Sequence, residues 1–162
     1  YQDWYLKFHY LKKNIDLNYM VDVQKYINQN AKSPMATWLK RLWLEKLFKQ
    51  NKYEEYIKVY SDVNKKIYHC KYIYSLYQLG NKNEVNREAQ KLEANGKSMS
   101  QLCEQVYQLY VSKLNEAEPL VWHRFKLSLK KYNFKLATSL ITLMNTEQAY
   151  KAIAILKIYK NQ

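Results

Sequence analysis

Apolar side chains recur along this chain every three or four residues rather than every second one, which is the pattern of amphipathic helices. Residues 1–13, YQDWYLKFHYLKK, predict a first helix carrying Trp4, Tyr5, Phe8 and Tyr10. A second runs from Asp16 to Gln29, with Leu17, Met20, Val21, Val23 and Ile27 on its apolar side. The clearest element lies in AKSPMATWLKRLWLEKLFKQNK. Ser33 there is an N-cap candidate, and Pro34 fits the first helical position, where its missing N–H costs nothing. Met35, Trp38, Leu39, Leu42, Trp43, Leu44, Leu47 and Phe48 leave only a narrow polar stripe through Lys40, Arg41, Glu45 and Lys49. A helix so broadly apolar is covered on most sides.

A short helix is expected at Tyr53–Tyr60. Residues 65–79, KKIYHCKYIYSLYQL, place Cys70, Ile73, Tyr74 and Tyr77 on one face, and Gly80 sits where a left-handed cap ends a helix. A further helix over about 83–94 is expected to stop at Asn95-Gly96. Ser98 and Gln101 then form a capping-box pair. The helix behind them reaches about Asn115 and turns Cys103, Val106, Tyr107, Tyr110 and Leu114 inward. Pro119 starts the helix of LVWHRFKLSLKKY, Asn133 caps FKLATSLITLM, and Asn145 with Gln148 opens a final run rich in Ala and Ile.

About ten helices joined by two to five residues must run antiparallel to their neighbours. The expected fold class is therefore all-α, a superhelical α-solenoid of short helical hairpins, filling residues 1–162 as one domain. No strict 34-residue tetratricopeptide pattern is present. Composition agrees, since two glycines and two prolines in 162 residues are too few for the many tight turns of a sheet protein. No apolar run approaches the ~18–20 residues needed to span a bilayer. A start at Tyr1 and an end at KIYKNQ read as those of a fragment of a larger chain.

The formal net charge of +13 favours an anionic partner. Yet all but three of the 27 basic residues are lysine, the exceptions being Arg41, Arg87 and Arg124. Arginine supplies the planar fork that grips phosphates and guanines, so nucleic acid is not the expected partner. His9, His69 and His123 are far apart and lack the spacing that sets two ligands on one helix face, so no metal is expected, and no other cofactor. Glu54, Glu55, Glu116 and Glu118 read as surface charge. Trp38, Trp43 and Trp122 read as core, with Trp4 open. The 17 tyrosines and four tryptophans offer ring faces for stacking, and the lysines offer cations for carboxylates.

Cys70 and Cys103 lie on two helices with one helix between them. Their spacing alone leaves two readings open, a disulfide or two reduced core thiols. Four stretches add to this: YQDWYLKFHYL, then SPMATWLKRLWLEKLFKQNKYEEYIKVY, then HCKYIYSLYQLGNKNEVNREAQKLEANGKSMSQLC, then WHRFKLSLKKYNFKLATSLI. In that order they resemble the superhelical, non-catalytic region of the soluble lytic murein transglycosylases, over roughly residues 1–145. The most specific part is Cys70 to Gly80 together with NGKSMSQLC. Two departures stand at the corner, Leu92-Glu93 for the family's Leu-Trp and Met99-Ser100 for its frequent proline.

The resemblance implies a Cys70–Cys103 disulfide, a periplasmic location and a peptidoglycan partner. It also implies a lysozyme-like catalytic domain elsewhere in the full-length chain. There a glutamate followed by serine would cleave the MurNAc–GlcNAc bond without water, closing a 1,6-anhydro ring. No Glu in this sequence is followed by Ser, so catalytic residues are expected to be absent here and the glycan-contacting ones stay unassigned. A helical-repeat scaffold for protein–protein interaction is the alternative.

Overall fold

The computed structural model describes residues 2–61, 65–92, 94–113 and 117–162. Among them are ten α-helices and no strand, so the all-α expectation holds. Backbone contacts gather the chain into two compact units, Tyr1–Lys82 and Asn83–Gln162.

The first unit holds α1 (Gln2–Lys13), α2 (Met20–Gln29) with a one-turn 3-10 helix before it at Leu17–Tyr19, α3 (Pro34–Lys49), α4 (Tyr53–Val59) and α5 (Lys66–Gln78). Helix α3 begins as its sequence demands, with the Met35 N–H donating to Ser33 Oγ at 3.2 Å and Pro34 just inside. It is also the hub, packed on by α1, α2, α4 and α5. Leu39, Trp43, Leu44 and Leu47 are fully buried along it, joined in one core by Phe8, Leu11, Val23, Tyr26 and Tyr56. Helix α5 closes on Gly80 at φ 75°, where the Asn81 N–H reaches back to the Leu76 carbonyl at 3.0 Å.

Val21 and Trp38, which the sequence assigned to an apolar face and to the core, are exposed. Val21 is 78% exposed, because Val23, Tyr26 and Ile27 define the buried side of α2 and Val21 lies about 200° around the helix from Val23. Trp38 is 45% exposed at the edge of α3, its indole half-covered by Phe8 at 5.5 Å and by the Lys12 ammonium at 4.0 Å.

The second unit holds α6 (Lys82–Ala89), α7 (Gln101–Val111), α8 (Glu118–Lys130), α9 (Phe134–Ile141) and α10 (Thr146–Lys160). Helix α8 packs on α9 and α9 on α10. The caps on Asn133 and Asn145 form as expected, accepting the Leu136 and Gln148 N–H groups at 3.2 and 2.9 Å.

Helix α6 is shorter than its sequence promises. Past Ala89 the backbone tightens into three-residue turns, from Lys91 N–H to the Glu88 carbonyl and from Leu92 N–H to the Ala89 carbonyl. The capping box does not form either. Helix α7 starts at Gln101 behind Ser100, and the Ser98 hydroxyl is taken by Asn133 instead. The side chain of Leu17 and residues Leu114, Asn115 and Glu116 lie outside the described part.

Candidate functional site

Cys70 lies one turn inside α5 and Cys103 within the first turn of α7, each on the apolar face that its periodicity predicted. Both are buried and both are disulfide-bonded, so neither offers a thiolate. The corner between α6 and α7 was legible as a motif, but its chemistry was not. At Gly96 the chain presses so close to α8 that a Cβ would stand 2.2 Å from the Leu127 carbonyl oxygen. Only glycine fits.

Beside it lies an arginine that periodicity alone does not single out. Arg124 is 1% exposed. Its Nη1 and Nη2 donate to the two carboxylate oxygens of Glu104 at 2.9 and 2.8 Å. Its Nε donates to the Asn95 carbonyl at 3.0 Å, and Nη2 reaches the Lys97 carbonyl at 3.4 Å. The guanidinium lies 4.5 Å from the ring centre of Tyr107. Glu104 also accepts the Met99 N–H at 2.8 Å. One ion pair thus takes up three backbone groups of the corner, which a buried loop must satisfy somewhere. A signal existed: Arg124 sits between Val121, Phe125 and Ser128 on the apolar face of α8, where an unpaired charge cannot stay.

The residues considered for chemistry are not brought together. His9 and His123 are exposed, and His69 stacks on Tyr60 with ring centres 6.4 Å apart. Glu54 and Glu55 lie in the first turn of α4, and Glu118 in that of α8, where it accepts from the Asn145 amide at 3.3 Å. No group of three His, Cys, Asp or Glu among the described residues is placed to hold a metal. Trp43 is core, whereas Trp122 is half-buried and donates to Gln148 Oε1 at 2.8 Å. Lys40 Nζ donates to the Ser61 hydroxyl, and partial burial lowers its pKa. No described helix is long and apolar enough to cross a membrane.

This arrangement of helices has known counterparts. It superposes on the 70-kDa soluble lytic transglycosylase in its complex with bulgecin A with a TM-score of 0.83 at 20% identity, covering 98% of this chain and 26% of that one. The fold is that of part of a soluble lytic transglycosylase. The 70-kDa soluble lytic transglycosylase of Escherichia coli gives a TM-score of 0.81 at 20% identity over 97% of this chain. An inactive mutant of lytic transglycosylase Slt from Pseudomonas aeruginosa gives 0.71 at 24% identity over 94% of it. The chain spans about a quarter of the length of each of these proteins, 26%, 26% and 24%. Neither a protein-family model nor a curated protein sequence matches it.

Proposed function

We propose that this chain is a non-catalytic superhelical region of a periplasmic peptidoglycan lytic transglycosylase, a scaffold that helps hold glycan strands during cell-wall turnover. The likeness of fold over nearly its whole length carries this reading, and the soluble lytic transglycosylases are the source of the activity assigned to the parent protein. The lyase chemistry on the MurNAc–GlcNAc bond belongs to a separate lysozyme-like domain of the full-length chain. That domain is then the natural partner of this one, beside the glycan strand itself.

In this reading Cys70 and Cys103 pair with each other. The sequence has two cysteines and both are disulfide-bonded, which supports that pairing. Such a bond persists in an oxidising compartment such as the periplasm. The net charge of +13 suits strands that bear stem-peptide carboxylates.

The test is a pair of assays on purified sacculi. The chain is expected to co-sediment with them and to release no 1,6-anhydro-muropeptides. Release by protein free of contaminating enzyme would remove the non-catalytic assignment, and failure to co-sediment would remove the glycan role. A Glu-Ser segment within a lysozyme-like domain, encoded in the same reading frame, is the genetic counterpart of this test.

A protein-interaction scaffold is the second reading. It is favoured by the apolar side chains left on α10, where Tyr150 is 72% and Ile158 61% exposed.

A further inference from the structure

Helices α3, α5 and α8 end in the same motif, in which the residue after the C-cap turns left-handed. These residues are Asn51 at φ 57°, Gly80 at φ 75° and Tyr132 at φ 52°. In each case the next N–H reaches back over the last turn: Lys52 to the Leu47 carbonyl at 2.9 Å, Asn81 to Leu76 at 3.0 Å and Asn133 to Ser128 at 2.9 Å. Glycine adopts this conformation freely and asparagine tolerates it, whereas a bulky aromatic residue is disfavoured there.

A strained residue persists when something offsets the strain, and burial is the usual offset. Tyr132 has little of it. It is 70% exposed, and its ring meets Phe134 edge-on with centres 6.2 Å apart. Glycine would serve the cap better, as Gly80 does on α5.

The surroundings are cationic. Between Glu118 and Glu147 the sequence has no acidic residue. Lys130 and Lys131 precede Tyr132 and Lys135 follows it, all three exposed. Lys97, also exposed, comes to the same corner: its neighbour Ser98 accepts from Asn133 Nδ2 at 3.0 Å, and Gly96 from the same amide at 3.4 Å.

We propose that Tyr132 is a stacking platform for a sugar ring of a peptidoglycan strand, with Lys97, Lys130, Lys131 and Lys135 holding the stem-peptide carboxylates. The inference rests on the transglycosylase reading and names where on this chain the strand would lie. Its argument is the combination: a neutral glycan needs only the ring and a plain polyanion only the lysines, whereas this strand uses both.

The decisive variant is Tyr132→Gly, because it separates folding from binding. Glycine relieves the cap, so the urea midpoint is expected to stay level or rise. Affinity for uncross-linked glycan strands with intact stem peptides is expected to fall roughly tenfold in titration calorimetry. The double variant Lys131→Glu, Lys135→Glu is expected to lose affinity for the same strands but not for strands stripped of their peptides.

If the wild type binds strands and Tyr132→Gly binds them equally well, this inference is overturned and the transglycosylase reading stands. If the lysine variant loses polyglutamate as strongly as it loses strands while Tyr132→Gly loses neither, the corner is a general polyanion surface and the inference is again overturned. A wild type that binds no strands at all overturns the glycan role itself.

Discussion

Arg124 and Glu104 face each other fork to fork, two nitrogens on two oxygens at 2.9 and 2.8 Å, with the arginine 1% exposed. The pair ties α8 to α7 and closes the corner between α6 and α7 from below, since Arg124 also donates to Asn95 and Glu104 also accepts from Met99. A charge so deep is tolerable only while its partners are in place.

Removing one partner is therefore expected to be costly. Arg124→Ala should destabilise the fold by about 3–5 kcal/mol in urea denaturation, because Glu104 loses its counter-charge and the corner carbonyls lose their donor. The double variant Arg124→Met, Glu104→Leu should recover only the part of that loss due to the stranded carboxylate, because the Asn95 and Lys97 carbonyls and the Met99 N–H still lack their partners. A double-mutant cycle measures the coupling directly.

The two glycines are expected to respond in opposite order to their backbone angles. Gly80 has φ 75°, yet a Cβ there would meet nothing within 4 Å, so Gly80→Ala should cost about 1–2 kcal/mol from conformation alone. Gly96 would place its Cβ 2.2 Å from a backbone oxygen of α8. Helix and corner must then move apart, and Gly96→Ala should cost more than about 2 kcal/mol. Equal urea midpoints for the two variants would contradict the close approach.

Alkaline pH should unfold this protein through its tyrosines. Burial raises the pKa of Tyr26, Tyr56, Tyr68 and Tyr107 above the ordinary value of 10.0, and Tyr56 is raised most strongly while its hydroxyl donates to the Tyr68 carbonyl at 2.9 Å. Above pH 10 the unfolded chain releases these protons and the folded one keeps them. Stability is thus fully present below pH 10 and falls as the pH climbs beyond it. Tyr56→Phe should lower stability at pH 7 by about 1 kcal/mol through the lost hydrogen bond, yet flatten the alkaline slope. Urea titrations at a series of pH values read both effects.

Reduction should weaken the fold. If Cys70 and Cys103 pair, the bond closes a loop of about 33 residues, worth roughly 3–4 kcal/mol in the chain-entropy model. Dithiothreitol is then expected to lower the urea midpoint of the wild type. It should leave a Cys70→Ser, Cys103→Ser variant unmoved.

Much of this was legible before any coordinates. Ser33 with Pro34, Asn133 and Asn145 each announce a helix start through chemistry confined to one turn, so the local signal suffices and all three caps form. The breadth of the apolar surface on α3 likewise foretold a helix covered on most sides, and four helices pack on it. Where prediction failed, two local signals competed. Val21 and Val23 cannot both face inward, and only the neighbouring helices decide which does. Ser98 has the chemistry of a cap, but Asn133, 35 residues further on, claims its hydroxyl.

The sequence by itself determined the helical class, most of the caps and the apolar faces that carry both cysteines, because each of these depends on residues within a turn or two of one another. Only the tertiary structure decided that Gly96 is a point of contact with α8, that Arg124 is the buried fastening of the corner and that Tyr132 stands in solvent in a glycine's conformation. Those facts depend on groups brought together from 20 to 37 residues apart or on the path of the folded backbone, and no local pattern encodes a distance across a fold.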